Sequence, residues 1–292
     1  MTTSTAVTVS RRSPFPLSRL LLAPTGIWLA VFMLVPMAII LVFSLGTRDP
    51  LGRIVLSINP DNYVRFVTGP YLNTLGRSLG LALSTTTTCL LIGFPLALWL
   101  ALIVPARRQN LCMTLLAAPL WTSFLLRIYA WIVILRPTGF LTHTLQMLGI
   151  ANPPVILYTD WAVLLGMVYN YLPFMILPLY AALEKLDKRY IEAARDLGAG
   201  WWTVLWRVII PLSARGIVAG VIMTFVPSLG DYVTPDLMGG AKHMYIGSLI
   251  QNQFLVVRDW AFGSAVSTLL LILVSIGVAV YLKYGDQDSA VA

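Results

Sequence analysis

The run 20–45 carries no charged side chain over 26 residues, and about 20 apolar residues in a helix suffice to cross a bilayer core. It is too long for a signal-peptide apolar core of roughly 7–15 residues. No convincing cleavage site follows it, so it reads as an uncleaved first span. A chain committed to lipid must satisfy its backbone N–H and C=O groups within its own helices. Further apolar runs follow at 79–104, 111–135, 161–182, 212–229 and 261–282. The third contains Arg127, the fourth contains Pro173 and Pro178, and the fifth runs into Gly230-Asp231. Composition agrees: 58% of residues are hydrophobic and 11% charged, against roughly 45–50% and 25% in soluble domains. This composition argues against an ordinary soluble enzyme. The expectation is an all-α polytopic membrane protein with six transmembrane helices over 20–283, flanked by tails at 1–19 and 284–292.

Orientation follows from the basic residues. The net charge of +8 could suggest nucleic acid, but no basic stretch exceeds two consecutive residues. With the N-terminus inside, cytoplasmic segments hold twelve Lys and Arg and outer segments six. That bias places both termini in the cytoplasm. The outer segments 46–71 and 136–160 read as turns and short surface helices. In 241–260, Ile246, Leu249, Ile250, Phe254 and Val257 recur at helical spacing. They predict an amphipathic helix on, or dipping into, the outer surface.

Catalytic chemistry has little to work with. His143 and His243 fall outside, Cys112 near the inner face and Cys89 within the second span, so they cannot converge on one metal. Two cysteines exclude a disulfide scaffold. No G-x-x-x-x-G-K-[ST] occurs, so no ATP-binding P-loop is expected here. No catalytic residue, metal or resident cofactor is expected.

The segment 184–211 is the most informative. Asp187 can N-cap a helix that places Tyr190, Ile191, Ala194 and Leu197 on one face. Gly198 and Gly200 allow a sharp turn after it. Ala193-Ala194 presents a small surface to a close neighbour, and Pro211 suits the first turn of span five. Read from the residues alone, this is equally a solvated loop with two surface helices. The segment resembles the E-A-A-x-x-x-G-x₉-I-x-L-P signature of permease subunits of ATP-binding-cassette importers. Glu192, Ala193, Ala194, Gly198 and Pro211 match, while Val208 and Ile210 stand where Ile and Leu are usual. The resemblance implies a type I importer permease whose coupling helix docks on a separate ATPase, where ATP and Mg would bind. This chain would then hydrolyse nothing itself.

Trp121 through Trp131, Tyr169 through Met175, Gly230 through Pro235 and Ile250 through Phe254 are similar to stretches of the spermidine/putrescine permeases, in particular the first of that system's two permease subunits. The resemblance implies a sister permease as heterodimer partner, two ATPase subunits and a secreted solute-binding protein. The same branch holds importers of opines and aminophosphonates. A rival from another class is a membrane scaffold or receptor that transports nothing.

Candidate path residues are Asp231, Asp236, Tyr232, Arg127, Tyr129, Asn170 and Tyr171. Asp231 and Asp236 flank a helix end broken by Gly230 and Pro235, the kind of interruption where transporter sites form. With Tyr232 as a cation–π face, two carboxylates there suit a diamine or triamine. Equally, Asp231 caps a short helix and Asp236 is solvated. Arg127 sits roughly 13 Å below the outer end of its helix, a costly depth for a charge. It pairs with Asp231, binds an anionic substrate group or snorkels outward; pairing is the favoured reading. Asn170, Tyr169, Tyr171 and Gln146 offer polar contacts to solute or to neighbouring helices.

Overall fold

The computed structural model describes residues 17–49, 53–150, 154–240 and 242–285; nearly all of the expected tails, 1–16 and 286–292, lie outside them. Helix α1 (Leu17–Ser44) is followed by a hairpin of two short antiparallel strands, β1 (Thr47–Arg48) and β2 (Ile54–Val55), the one departure from an all-helical chain among the described residues. After α2 (Asp61–Thr68) come α3 (Tyr71–Leu102), α4 (Ala106–Ala117), α5 (Phe124–Leu135), α6 (Phe140–Met147) and α7 (Asp160–Glu184). The short α8 (Lys188–Asp196), α9 (Trp201–Val204) and α10 (Ile210–Leu212) lead to α11 (Ala214–Gly230). Then α12 (Val233–Gly239), α13 (Ile246–Asn252) and α14 (Trp260–Gly285) complete the order.

Five helical stretches are long and apolar enough to cross a membrane, and a sixth results if the bent pair Trp201–Leu212 and Ala214–Gly230 is one span. The core is a triangle of α3, α7 and α11. Small residues set its spacing, as expected where lipid removes any hydrophobic drive between helices. Gly216 faces the Cβ of Ala182, and a Cβ on Gly220 would stand 2.7 Å from the Met175 sulfur. Gly93 meets Met175 and Ile176 in the same way. In the threonine run of α3, Thr86 and Thr88 satisfy their hydroxyls by donating to the carbonyls of Ala82 and Ser84, each at 2.7 Å. Helix α1 touches α14 and, Ser44 apart, buries none of its apolar stretch 23–44 fully within the chain.

Two boundaries differ from expectation. The run 111–135 is not one helix: α4 ends at Ala117, a 3₁₀ turn covers Ala118–Trp121, and Thr122 and Ser123 are extended. Pro119 lacks the N–H that would continue the ladder, and Thr122 Oγ1 satisfies the Pro119 carbonyl at 2.7 Å. The stretch that meets the spanning criterion is α5 with α6, Phe124–Met147. Span five does not start at Pro211 either. Pro211 lies within α10, after a π turn over Leu205–Ile209, and the chain bends by 68° at Ser213. The buried Ser213 hydroxyl donates to the carbonyl of Ile209 at 2.7 Å and reaches that of Ile210 at 3.2 Å, a side chain inserted into the ladder at the bend.

The 241–260 segment is tucked in rather than surface-laid. Ile246 and Leu249 are buried with Phe66, Phe262 and Val266, while Val257 is exposed. Asp259 caps α14, accepting from Phe262 N at 3.1 Å, and accepts from Arg65 at 2.9 Å. Burial pulls the Arg65 pKa down, but hydrogen bonding and charge at Asp259 and Tyr71 together outweigh it and the net shift is upward.

Candidate functional site

The elbow 184–213 is built from local chemistry. Asp187 caps α8 by accepting from Arg189 N at 3.0 Å. Gly198 ends it in the left-handed region, φ +81°. Ala199 N donates to Ala194 O and Gly198 N to Arg195 O, the paired bonds of a glycine-terminated helix. Ile191 is buried and Ala194 half-buried against the core, whereas Tyr190 and Leu197 are exposed. The apolar face is therefore split: one side holds the bundle and the other is free. Glu192, Ala193 and Gly198 lie on that free side, and Pro211 is exposed on the elbow. Trp201, Trp202 and Trp206 are exposed along α9 and the π turn, an aromatic belt suited to a membrane interface. The guanidinium of Arg195 lies 5.7 Å from the Trp201 ring.

The path candidates divide into three groups. Asp231 is buried and fully engaged. It accepts from Val233 N at 3.0 Å, Thr234 N at 3.1 Å, Thr234 Oγ1 at 2.6 Å and Tyr171 Oη at 3.3 Å. It thus anchors the start of α12 where α11 stops. Asp236 is half-buried and accepts from Ser248 at 2.7 Å rather than standing in solvent. Tyr232 and Tyr129 point outward, 41% and 54% exposed. Asn170 is buried, and both atoms of its amide lack a partner.

Arg127 forms the third group. Its Nε and Nη1 are buried without a hydrogen-bond partner, and it lines a cleft of about 330 Å³ with Thr122, Leu126, Trp131 and Tyr169. Trp131 and Tyr169 meet edge to face at 5.5 Å across it. The expected Arg127–Asp231 pair is not formed: among the described residues the Arg or Lys ion pair is Arg65–Asp259. The reason is local, since the acceptor sites of Asp231 are already taken by Thr234, Val233 and Tyr171. Gln146 is exposed on α6, away from the buried groups.

Sequence reading missed several groups. Thr234 and Ser248 were invisible as carboxylate partners, although Asp231 three residues before Thr234 is a helix-start signal. A cluster of Arg77, Asp160, His243 and Tyr245 lines a separate cleft of about 390 Å³, with Arg77 Nη1 3.0 Å from His243 Nδ1. Among the described residues no group of three His, Cys, Asp or Glu could hold a metal.

A triangle of small-residue-packed spans with a capped, half-free helix at one end is the architecture of a polytopic membrane protein. The sequence matches the family described as binding-protein-dependent transport system inner membrane component across residues 3–288, and the chain belongs to that family; it is an ABC importer permease. It is 42% identical over 257 residues to the spermidine/putrescine transport system permease protein PotB of Escherichia coli (strain K12), covering 88% of this chain and 93% of that protein. The corresponding protein of Haemophilus influenzae is also 42% identical, over 88% of this chain and 90% of its own length. In fold it is similar to a chain of the crystal structure of a bacterial alginate ABC transporter with its alginate-bound periplasmic protein. There the TM-score is 0.68 at 18% identity, over 89% of this chain and 90% of that one.

Proposed function

We propose that this permease forms the translocation path for a small polycation, spermidine or putrescine, delivered by a secreted binding protein. The observation that carries the reading is the 42% identity to PotB along nearly the whole of both chains. Both termini and the 184–211 elbow face the cytoplasm, and 231–260 faces outward. The free side of α8, with Glu192, Ala193 and Gly198 and with the half-buried Ala194 at its edge, docks on one of two ATPase subunits that bind ATP and Mg. The bend before α11, with Pro211, carries its displacement into the span that ends at Asp231. No resident cofactor is needed, and a homologous second permease completes the path. Asp231, Asp236, Tyr232, Tyr129, Asn170 and Tyr171 are its polar groups on this chain.

The test is uptake of labelled spermidine and putrescine by vesicles carrying the whole complex. Saturable, ATP-dependent uptake that requires the binding protein is expected; transport of neither polyamine by an assembled, ATP-hydrolysing complex rejects the substrate. One observation favours a second reading, import of an opine or aminophosphonate: the unpartnered guanidinium of Arg127 would suit an anionic group. Competition by those solutes, and not by polyamines, would select it.

A further inference from the structure

We infer that Arg127 is the near half of an intersubunit ion pair whose carboxylate is carried by a spanning helix of the second permease. The inference rests on the proposed function, which supplies that subunit and a cationic solute. Tyr169, which lines the Arg127 cleft, is the tenth residue of the 25-residue α7. At 1.5 Å per residue that places the cleft about 14 Å from the start of the helix, near mid-span. A guanidinium at such depth requires a counter-charge or strong hydrogen bonds, and its Nε and Nη1 have neither.

This chain cannot supply the charge. Of its 12 acidic residues none lies inside a spanning run; Asp160, Glu184 and Asp231 stand at the ends. Asp231, bonded to Tyr171 of α7, is already occupied by four donors. Snorkelling does not serve Nε and Nη1, which are covered rather than open to an interface. A polycation would be repelled by a bare guanidinium, so the solute is not the partner. The face around the cleft is open and apolar: Trp121, Leu126 and Val133 are 80%, 66% and 59% exposed. A helix laid on that face with one acidic residue opposite Arg127 would neutralise the charge and bury the apolar rim.

The experiment uses the complete complex and reads how much second permease co-elutes with the tagged chain. Arg127→Glu should reduce co-elution about tenfold or more, as expected when a buried pair becomes a like-charge clash. Arg127→Met, which preserves length without charge, should reduce it less. In the Arg127→Glu background, each Asp and Glu within the spans of the second permease is then replaced by Arg in turn. Recovery of co-elution by one of them identifies the partner. Undiminished co-elution of Arg127→Glu, or recovery in none of the swaps, overturns the inference. Recovery by Asp231→Arg in this chain overturns it in favour of an internal pair. Failure of the wild-type chain to retain any second permease would instead sink the proposed assembly, and uptake does not enter this readout.

Discussion

Tyr171 donates to Asp231 across 3.3 Å and reaches the Pro227 carbonyl at 3.4 Å, so α7 holds the point where α11 stops and α12 begins. The carboxylate is also gripped from its own side by Thr234 at 2.6 Å. A broken spanning helix is held at its break by a neighbouring helix and by its own continuation. The shorter, charge-assisted contact should carry more of the stability. Hydrogen bonds to charged groups contribute about 1.5–3 kcal/mol each. Thr234→Val is therefore expected to lower the thermal midpoint of the purified complex more than Tyr171→Phe. The reverse order, read by intrinsic fluorescence, would move the main anchor to Tyr171.

Asp231 and Asp236 are expected to matter for passage through their charge. Asp236→Asn should reduce polyamine uptake with assembly and binding-protein affinity unchanged, whereas Asp231→Asn, which replaces one acceptor oxygen by a donor, should also lower the thermal midpoint. Normal uptake in the double variant removes both from the path.

Gly198 tests coupling. Its φ of +81° is unfavourable for any side chain, although a Cβ there meets nothing within 4 Å. An L-residue held in this region costs about 1–2 kcal/mol, so Gly198→Ala should be tolerated. Gly198→Trp fills the open space into which an ATPase groove would close. The expected outcome is inserted, assembled complex without uptake and without stimulation of ATP hydrolysis by loaded binding protein. Wild-type stimulation in Gly198→Trp with Glu192→Arg would show that α8 is only a solvated loop.

Sidedness can be read by labelling. In a background without Cys89 and Cys112, a cysteine at the exposed position Lys242 should react with an impermeant thiol reagent in intact cells. One at Lys188, on α8, should react only after the membrane is opened. The inverse pattern reverses the orientation.

Asp259 serves two partners, capping α14 through Phe262 N and accepting from Arg65. Asp259→Ala should destabilise by at least the loss of a helix cap, about 1 kcal/mol. Adding Arg65→Met should then change little, since the pair is already gone. Additive thermal shifts in the double variant would mean that the two side chains act independently.

The spans, the capped helix at Asp187 and the glycine turn at Gly198 were legible in the sequence because each depends on neighbours a few residues away. A charge-free run must be helical in lipid, an Asp before an amphipathic stretch caps it, and a positive φ selects glycine. The breaks were harder. Pro119 and Pro211 lie beside them, but how the chain turns there depends on the packing, which lets the Thr122 and Ser213 hydroxyls bond the Pro119 and Ile209 carbonyls. The pairing of charges lay beyond sequence altogether. Arg127 and Asp231 are 104 positions apart, and opposite charge alone made them partners on paper. Tertiary structure decided otherwise because Thr234 and Tyr171 reach the carboxylate first, and a buried group bonds to whatever the packing of its helices sets within about 3 Å.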